Sequence, residues 1–571
     1  MAHLPRLVLL ISFLASLGAT THHDPDVASQ VAVFLDDAVF VGSRHDGINR
    51  FLGIQYAKPP VGELRLNRPV PIEPYTGTYD ASEFGPSCPQ QHIPIPPEFP
   101  SGIDLARMVK LLALIYNATT PQSEDCLSLN VWTPWGSQTE ARLPVVVWIH
   151  GGGFQVGGSA QVDGSIIVKR SIELGEPIIV VSINYRLSLL GWPLGHEAEL
   201  AGIGNLGYRD QRLALRWIQK YIASFGGDPS RVTLWGESAG SMSIASQMLS
   251  NNGDQQGLFR GAFMHSGSLV ALGDMSGAQE YYDNLVKGVG CATSADTLDC
   301  LRRLSYEDIK AGLDASPSFF SHQTLALTWG PRADGDFIKD LPLKHAANAT
   351  IARIPVVIGA CDDEGSIFVL PILDILTTEE LHTYLSTYFF LNATRDEIDD
   401  LLGVYPDDPT LGSPFNTGQL NALSPQSKRI AAIIGDIVFE SPRKQWLERL
   451  AGSQDVWTFR TKRGKGIDGI GASHISDLLE VFMPSDMTDH LIHFVNYLDP
   501  NGSPQDLTVL PPLGQELLSV GGNTIWPKYD SQEKQMLVYV DGVQRVEIAR
   551  DVERERQLGY MSEFLKLNWI R

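Results

Sequence analysis

The sequence predicts an α/β protein with a large, mostly parallel central sheet flanked by helices. Short, apolar, β-branched runs recur along the chain, each followed by glycine or a turn and then by a helical pattern. The runs are near-continuously apolar rather than alternating, the pattern of strands buried on both faces. No internal repeat, low-complexity linker or composition break divides the 571 residues, so the pattern predicts one large domain over 20–571 with long insertions.

The first element is a leader. Arg6 precedes an apolar run over 7–17, and the small residues Gly18 and Ala19 follow. This is the layout of a secretory signal peptide over 1–19, too short to span a bilayer comfortably. The C-terminal residues 568–571 carry no retention signal or lipid-anchor tail. A secreted, extracellular protein is expected. Asn-x-Ser/Thr acceptors at Asn117, Asn348, Asn392 and Asn501 agree with that route, although such triplets also arise by chance. Five cysteines are spaced as two pairs and a spare. Cys291 and Cys300 can close a short loop, Cys88 and Cys126 a longer one, and Cys361 is then buried and inert; other pairings remain open.

The stretch over 88–126 opens with Pro94, Pro96, Pro97 and Pro100 and continues into a very apolar helical pattern from Ile103 to Ile115. It is either a core helix or a disulfide-tethered flap over an apolar site, as suits a protein in transient contact with a lipid interface. Strands follow over 145–149 and 178–182. A helix over 209–225 aligns Leu213, Trp217, Ile218, Tyr221, Ile222 and Phe225 on one face and stops at Gly226, Gly227, Asp228 and Pro229. Strands over 232–235, 356–358 and 456–459 complete the expected core.

Chemistry concentrates at the ends of these strands. Gly236-Glu237-Ser238-Ala239-Gly240 matches G-x-S-x-G where a strand turns into a helix, a turn that strains the serine backbone and projects its hydroxyl at the edge of the sheet. A serine nucleophile needs a histidine to take its proton and an acid to orient that histidine. Beyond Ser238 stand His265, His322, His345, His382, His474, His490 and His493. His382, His490 and His493 lie in helical patterns, whereas His474 lies in a glycine-rich loop that can present an imidazole. The strand over 356–358 leads into Asp362, Asp363 and Glu364; the residues alone select this turn for the acid without selecting a member. His150-Gly151-Gly152-Gly153 follows the strand over 145–149 and suits a loop whose backbone N–H groups meet an oxyanion, with the amide of Ala239 as a third donor.

These residues resemble the type-B carboxylesterase/lipase family of α/β-hydrolases. The resemblance is carried by 51–54 with 56–62, 124–130, the glycine-rich loop, Asn184-Tyr185-Arg186 and 204–240, and it runs from about Val31 to the C-terminal helix. Within the family the chain is most similar to the fungal secreted lipase and sterol-esterase branch of the Candida rugosa lipase kind, through 413–418 and the 88–126 region. The resemblance implies an α/β-hydrolase fold and Glu364 as the acid, from Asp363-Glu364-Gly365-Ser366. It supports His474 through Gly471, His474 and Asp477. It also implies Gly152, Gly153 and Ala239 as the oxyanion amides, and the pairs Cys88–Cys126 and Cys291–Cys300. Gln55 stands where relatives often carry proline.

The expected activity is hydrolysis of carboxylic esters, of lipase or sterol-esterase type, through an acyl-enzyme on Ser238, with no metal and no organic cofactor. The alternatives are a feruloyl-type aromatic esterase, amide hydrolysis by the same residues, and a non-catalytic binding or adhesion protein on the same scaffold. With 44 Lys+Arg against 66 Asp+Glu the net charge is −22, which makes the chain a poor nucleic-acid binder, since phosphate contacts need clustered cations, and none is expected as a partner. The expected partner is an apolar ester.

Overall fold

The computed structural model describes residues 29–94, 103, 120–137, 139–503, 524–542 and 545–570. The expected leader over 1–19, most of the 88–126 segment and Asn117 lie outside the described residues.

Thirteen strands among the described residues form one sheet. They are β1 (Ser29–Leu35), β2 (Asp37–His45), β3 (Ile48–Gln55), β4 (Thr76–Asp80), β5 (Ser128–Pro134), β6 (Leu143–Ile149), β7 (Ile179–Ile183), β8 (Gly227–Glu237), β9 (Gly261–His265), β10 (Val356–Cys361), β11 (Val456–Thr461), β12 (Gln535–Tyr539) and β13 (Val546–Arg550). Their spatial order is β1-β2-β3-β5-β7-β6-β8-β9-β10-β11-β12-β13, with β4 beside β2. Every pairing from β7 to β12 is parallel. The flanks are mainly antiparallel, a feature that the apolar runs did not announce.

The parallel centre follows from the side chains. Val145, Val146, Val147 and Ile149 of β6 are fully buried, as are Val180, Val181 and Ile183 of β7 and Val232 and Leu234 of β8. Trp148 and Trp235 face each other across β6 and β8 with ring centroids 4.3 Å apart. Each such indole removes a large apolar area from water and dominates its part of the core. From β6 the chain crosses to β7 on one side and then returns to β8 on the other. The loops after β6 and β8 therefore diverge and leave a crevice at the carboxyl ends of the strands, where open α/β sheets bind ligands.

The helix expected over 209–225 is α-helical over Leu206–Tyr221 and tightens to a 3₁₀ turn over Ile222–Phe225. Gly226 ends it at φ 84°, a left-handed position that suits glycine. The helix also buries Asp210, which receives the Arg186 guanidinium at 2.7 and 2.8 Å. That pair ties the turn after β7 to the helix. Gln55 donates to Asp125 at 2.7 Å. Cys88 bonds to Cys126 and Cys291 to Cys300, while Cys361 is free and fully buried, its sulfur between the Ser266 and Ser476 hydroxyls.

Candidate active site

At the carboxyl end of β8, Glu237 is the last strand residue and Ala239 opens the helix Ala239–Leu249. Ser238 makes the turn at φ 54° and ψ −123°, a strained position for a residue with a side chain. The flanking glycines are sterically required. A Cβ on Gly240 would lie 1.9 Å from the Ile149 carbonyl oxygen, and one on Gly236 would lie 2.7 Å from the Gly240 carbonyl carbon. Only bare backbone lets the helix start this close to β6. The Ser238 N–H donates to the carbonyl of His265 at 2.9 Å, which fixes the turn to β9.

The loop after β11 brings His474 to this serine. Its Nε2 lies 2.9 Å from Ser238 Oγ and its Nδ1 2.5 Å from Glu364 Oε2. Glu364 follows β10, and its other oxygen accepts the Cys361 N–H at 2.6 Å, so the carboxylate is held on both sides. The three consecutive acids are thereby sorted. Asp362 faces Arg460 and Lys465, Asp363 takes Lys465 and the backbone of the histidine loop, and Glu364 alone reaches His474. Among the other candidate histidines whose side chains are described, which leaves out His345, none bonds Ser238 through its ring. His265 pairs with Asp477 at 2.8 Å, His490 with the Tyr539 hydroxyl at 2.8 Å and His493 with Glu176 at 2.8 Å; His382 lies beside Asp399 and His322 beside Asp374.

Electrostatics favour a protonatable His474. The ring is buried between Phe439 and Phe368, with centroids at 4.4 and 5.2 Å. Burial disfavours the imidazolium, but the carboxylates of Glu237 and Glu364 outweigh it, so the His474 pKa stands above its ordinary value. Glu237 is the residue that sequence reasoning passed over, although it occupies the second position of the G-x-S-x-G segment. Its Oε1 lies 3.2 Å from His474 Nε2 and has no hydrogen-bond partner. Burial pushes its pKa to about 8, against the opposing charge of His474.

The glycine-rich loop after β6 lies against the same turn. Gly152 and Gly153 take φ 101° and 60°. A Cβ on Gly151 would come 2.5 Å from Glu237 Oε2, and one on Gly153 would come 2.8 Å from the Phe319 ring. His150 stacks on Tyr185 at 4.3 Å, and burial lowers its pKa to about 4, so it packs as a neutral ring. The Tyr185 hydroxyl donates to the His150 carbonyl at 2.8 Å. Among the described residues, no protein acceptor takes the N–H groups of Gly152, Gly153 or Ala239. Ordered N–H groups left free beside a serine hydroxyl can receive a developing oxyanion.

Asn348 and Asn392 are exposed. Asn501 differs: its carboxamide donates to the Trp526 carbonyl at 3.0 Å and accepts the Trp526 N–H at 2.7 Å, so it holds two segments together.

The model of the carboxylesterase family matches residues 37–556. The chain is 37% identical to Lipase 4 of Diutina rugosa over 544 residues, 93% of each chain. It is 40% identical to Secreted lipase 1 of Botryotinia fuckeliana over 495 residues, covering 83% of this chain and 85% of that one. The crystal structure of EstA from Aspergillus niger has the same α/β-hydrolase fold, with a TM-score of 0.75 at 24% identity, over 94% of this chain and 98% of that one. With its parallel sheet, its serine turn and a family match over nearly the whole described length, the chain belongs to the carboxylesterase family of carboxylic-ester hydrolases.

Proposed function

We propose that the chain cleaves carboxylic esters through an acyl-enzyme on Ser238. His474 Nε2 takes the proton from Ser238 Oγ as that oxygen attacks the ester carbonyl carbon. Glu364 accepts the Nδ1–H, fixes the tautomer and stabilises the imidazolium. The negative oxygen of the tetrahedral intermediate takes the N–H groups of Gly152, Gly153 and Ala239. His474 returns its proton to the departing alcohol, and water activated by the same nitrogen releases the acid. Loss of one oxyanion donor costs on the order of 100–1,000-fold in turnover in other hydrolases. The observation that carries the reading is the unbroken chain Ser238 Oγ to His474 Nε2 to His474 Nδ1 to Glu364 Oε2.

The substrate is an apolar ester. Phe319 lies against the oxyanion loop, Phe368 and Phe439 pack on His474, and Phe320 packs on Phe319 and Phe368, all four buried. Such walls reward an alkyl or aromatic acyl group by about 25 cal/mol per Å² of apolar surface withdrawn from water. The chain is exported by the leader over 1–19, folds as one catalytic domain and carries glycans at Asn117, Asn348 and Asn392; the bonds of Asn501 to Trp526 count against a fourth.

The test is Ser238→Ala assayed on p-nitrophenyl esters of rising chain length. The variant is expected to keep its fold and lose ester turnover, and the wild type to prefer the longer chains. Unchanged turnover in the variant would refute the nucleophile; a preference for the shortest chains would refute the apolar substrate.

A further inference from the structure

The acid and the base of the proposed triad follow different strands, β10 and β11, and are 110 residues apart in sequence. Their 2.5 Å contact requires something to hold the two loops in register. One side chain lies between them. Asp363 accepts Lys465 Nζ at 2.7 and 2.8 Å, the Ala472 N–H at 2.9 Å, the Phe415 N–H at 2.8 Å and the Ser413 hydroxyl at 3.3 Å. Its own N–H donates to the Ala472 carbonyl at 2.9 Å. Ala472 is two residues before His474, and Asp363 is one residue before Glu364. The fit is close: a Cβ on Gly471 would lie 2.4 Å from Asp363 Oδ2. The Ser366 hydroxyl adds a second tie, to the Ile470 carbonyl at 2.5 Å. Lys465 also bonds Asp362 at 2.5 Å, and Asp362 in turn faces Arg460.

We propose that Asp363 is a positioning residue: it sets the separation of Glu364 and His474 by gripping the histidine loop at Ala472, with Lys465 as its balancing cation. The proposal rests on the triad reading above and adds a residue that touches neither substrate nor the reacting atoms. Asp363 is completely buried, and bonds to a buried, ionised carboxylate are about twice as strong as neutral ones. Burial raises the Asp363 pKa to about 6, against the opposing charge of Lys465, so the carboxylate is ionised at neutral pH. The Lys465 side chain is 24% exposed, so its replacement perturbs packing least.

The experiment compares Asp363→Asn, Lys465→Met and Lys465→Arg with the wild type. Three quantities are read: kcat and KM on one ester, the rate of Ser238 labelling by an organophosphonate, and the low-field proton resonance of His474 Nδ1. Asp363→Asn is expected to lower kcat about 100-fold at nearly unchanged KM, the scale of a misplaced catalytic group. Labelling should slow in parallel, and the resonance should move upfield as the contact to Glu364 lengthens. Lys465→Met should act in the same direction with a smaller loss, and Lys465→Arg should restore most of it. A folded Asp363→Asn protein with lowered thermal stability but unaltered kcat and resonance would reduce Asp363 to a structural ion pair and overturn the proposal. If Asp363→Asn does not fold, Lys465→Met decides by the same three readings. If Ser238→Ala retains activity, the triad reading fails, yet the resonance still reports the Glu364–His474 geometry without turnover.

Discussion

Glu237 is a carboxylic acid placed where an ionised carboxylate is costly: buried, one oxygen without a donor, beside Glu364 and Asp477. Its folded pKa of about 8 against an ordinary 4.5 fixes the sign of its effect on stability. Below the ordinary value both the folded and unfolded chains hold the proton, and the contribution is fully present. As pH rises toward 8 the unfolded chain ionises first, and the contribution is lost. Glu237→Gln should therefore gain thermal stability relative to wild type between about pH 5 and about pH 9, as read by calorimetry. A constant difference across that range would show that Glu237 ionises normally. At this scale the residues alone point to Ser238, to His474 and to the turn that bears the acid, and only the family resemblance points to Glu364 within that turn. The run 362–364 marks the acid-bearing turn, but the choice of Glu364 depends on Lys465, Ala472 and Arg460, which lie about a hundred residues away. Ser238 was legible because its requirements are local: a strand, two glycines and a helix in contiguous residues.

Elements were legible where burial is two-sided and obscure where it is not. The run over 232–235 announces β8, but the strand starts at Gly227. Its first residues include the polar Asp228 and Ser230, and Gly227 joins β6 through an irregular register at Leu143 and Val145. Strand β4 is exposed along its whole length and leaves no apolar trace, and β12 and β13 close the far edge in antiparallel fashion. The two disulfides act on the elements they join according to the loop each closes. Cys88–Cys126 spans 38 residues and Cys291–Cys300 spans 9. The chain-entropy estimate assigns about 4 kcal/mol to the first and about 3 kcal/mol to the second. Replacing both cysteines of a pair by serine should lower the urea midpoint more for 88/126 than for 291/300. The reverse order would mean that native contacts, rather than loop closure, set their worth.

Across the whole molecule, an acidic composition conceals a buried ionic core. Glu440 meets Arg443 at 2.9 Å and Arg460 at 2.7 Å, Arg443 meets Asp551 at 3.0 Å, and all four are buried. Residues from the helix Ser441–Leu450, from β11 and from the turn after β13 converge there, a meeting that composition cannot reveal. Burial alone would raise the Glu440 pKa, but Arg443, Arg460 and Arg554 hold it well below the usual carboxylate range. Its stabilising contribution is present above the ordinary 4.5 and is lost as pH falls toward the folded value. Glu440→Gln should destabilise by up to about 3–5 kcal/mol near neutrality, because each of two arginines loses one of its carboxylates, Arg443 keeping Asp551 and Arg460 keeping Asp362, and the gap to wild type should narrow in acid. Denaturant titrations at several pH values would measure both. Cys361 carries a last consequence for the molecule in its maturing state. An odd thiol sealed within the native interior is harmless there, but in a nascent chain it competes with four others for oxidation partners. Burial of the Cys361 thiol takes it out of that competition, so folding of the β10 region ahead of oxidation favours the Cys88–Cys126 and Cys291–Cys300 pairs.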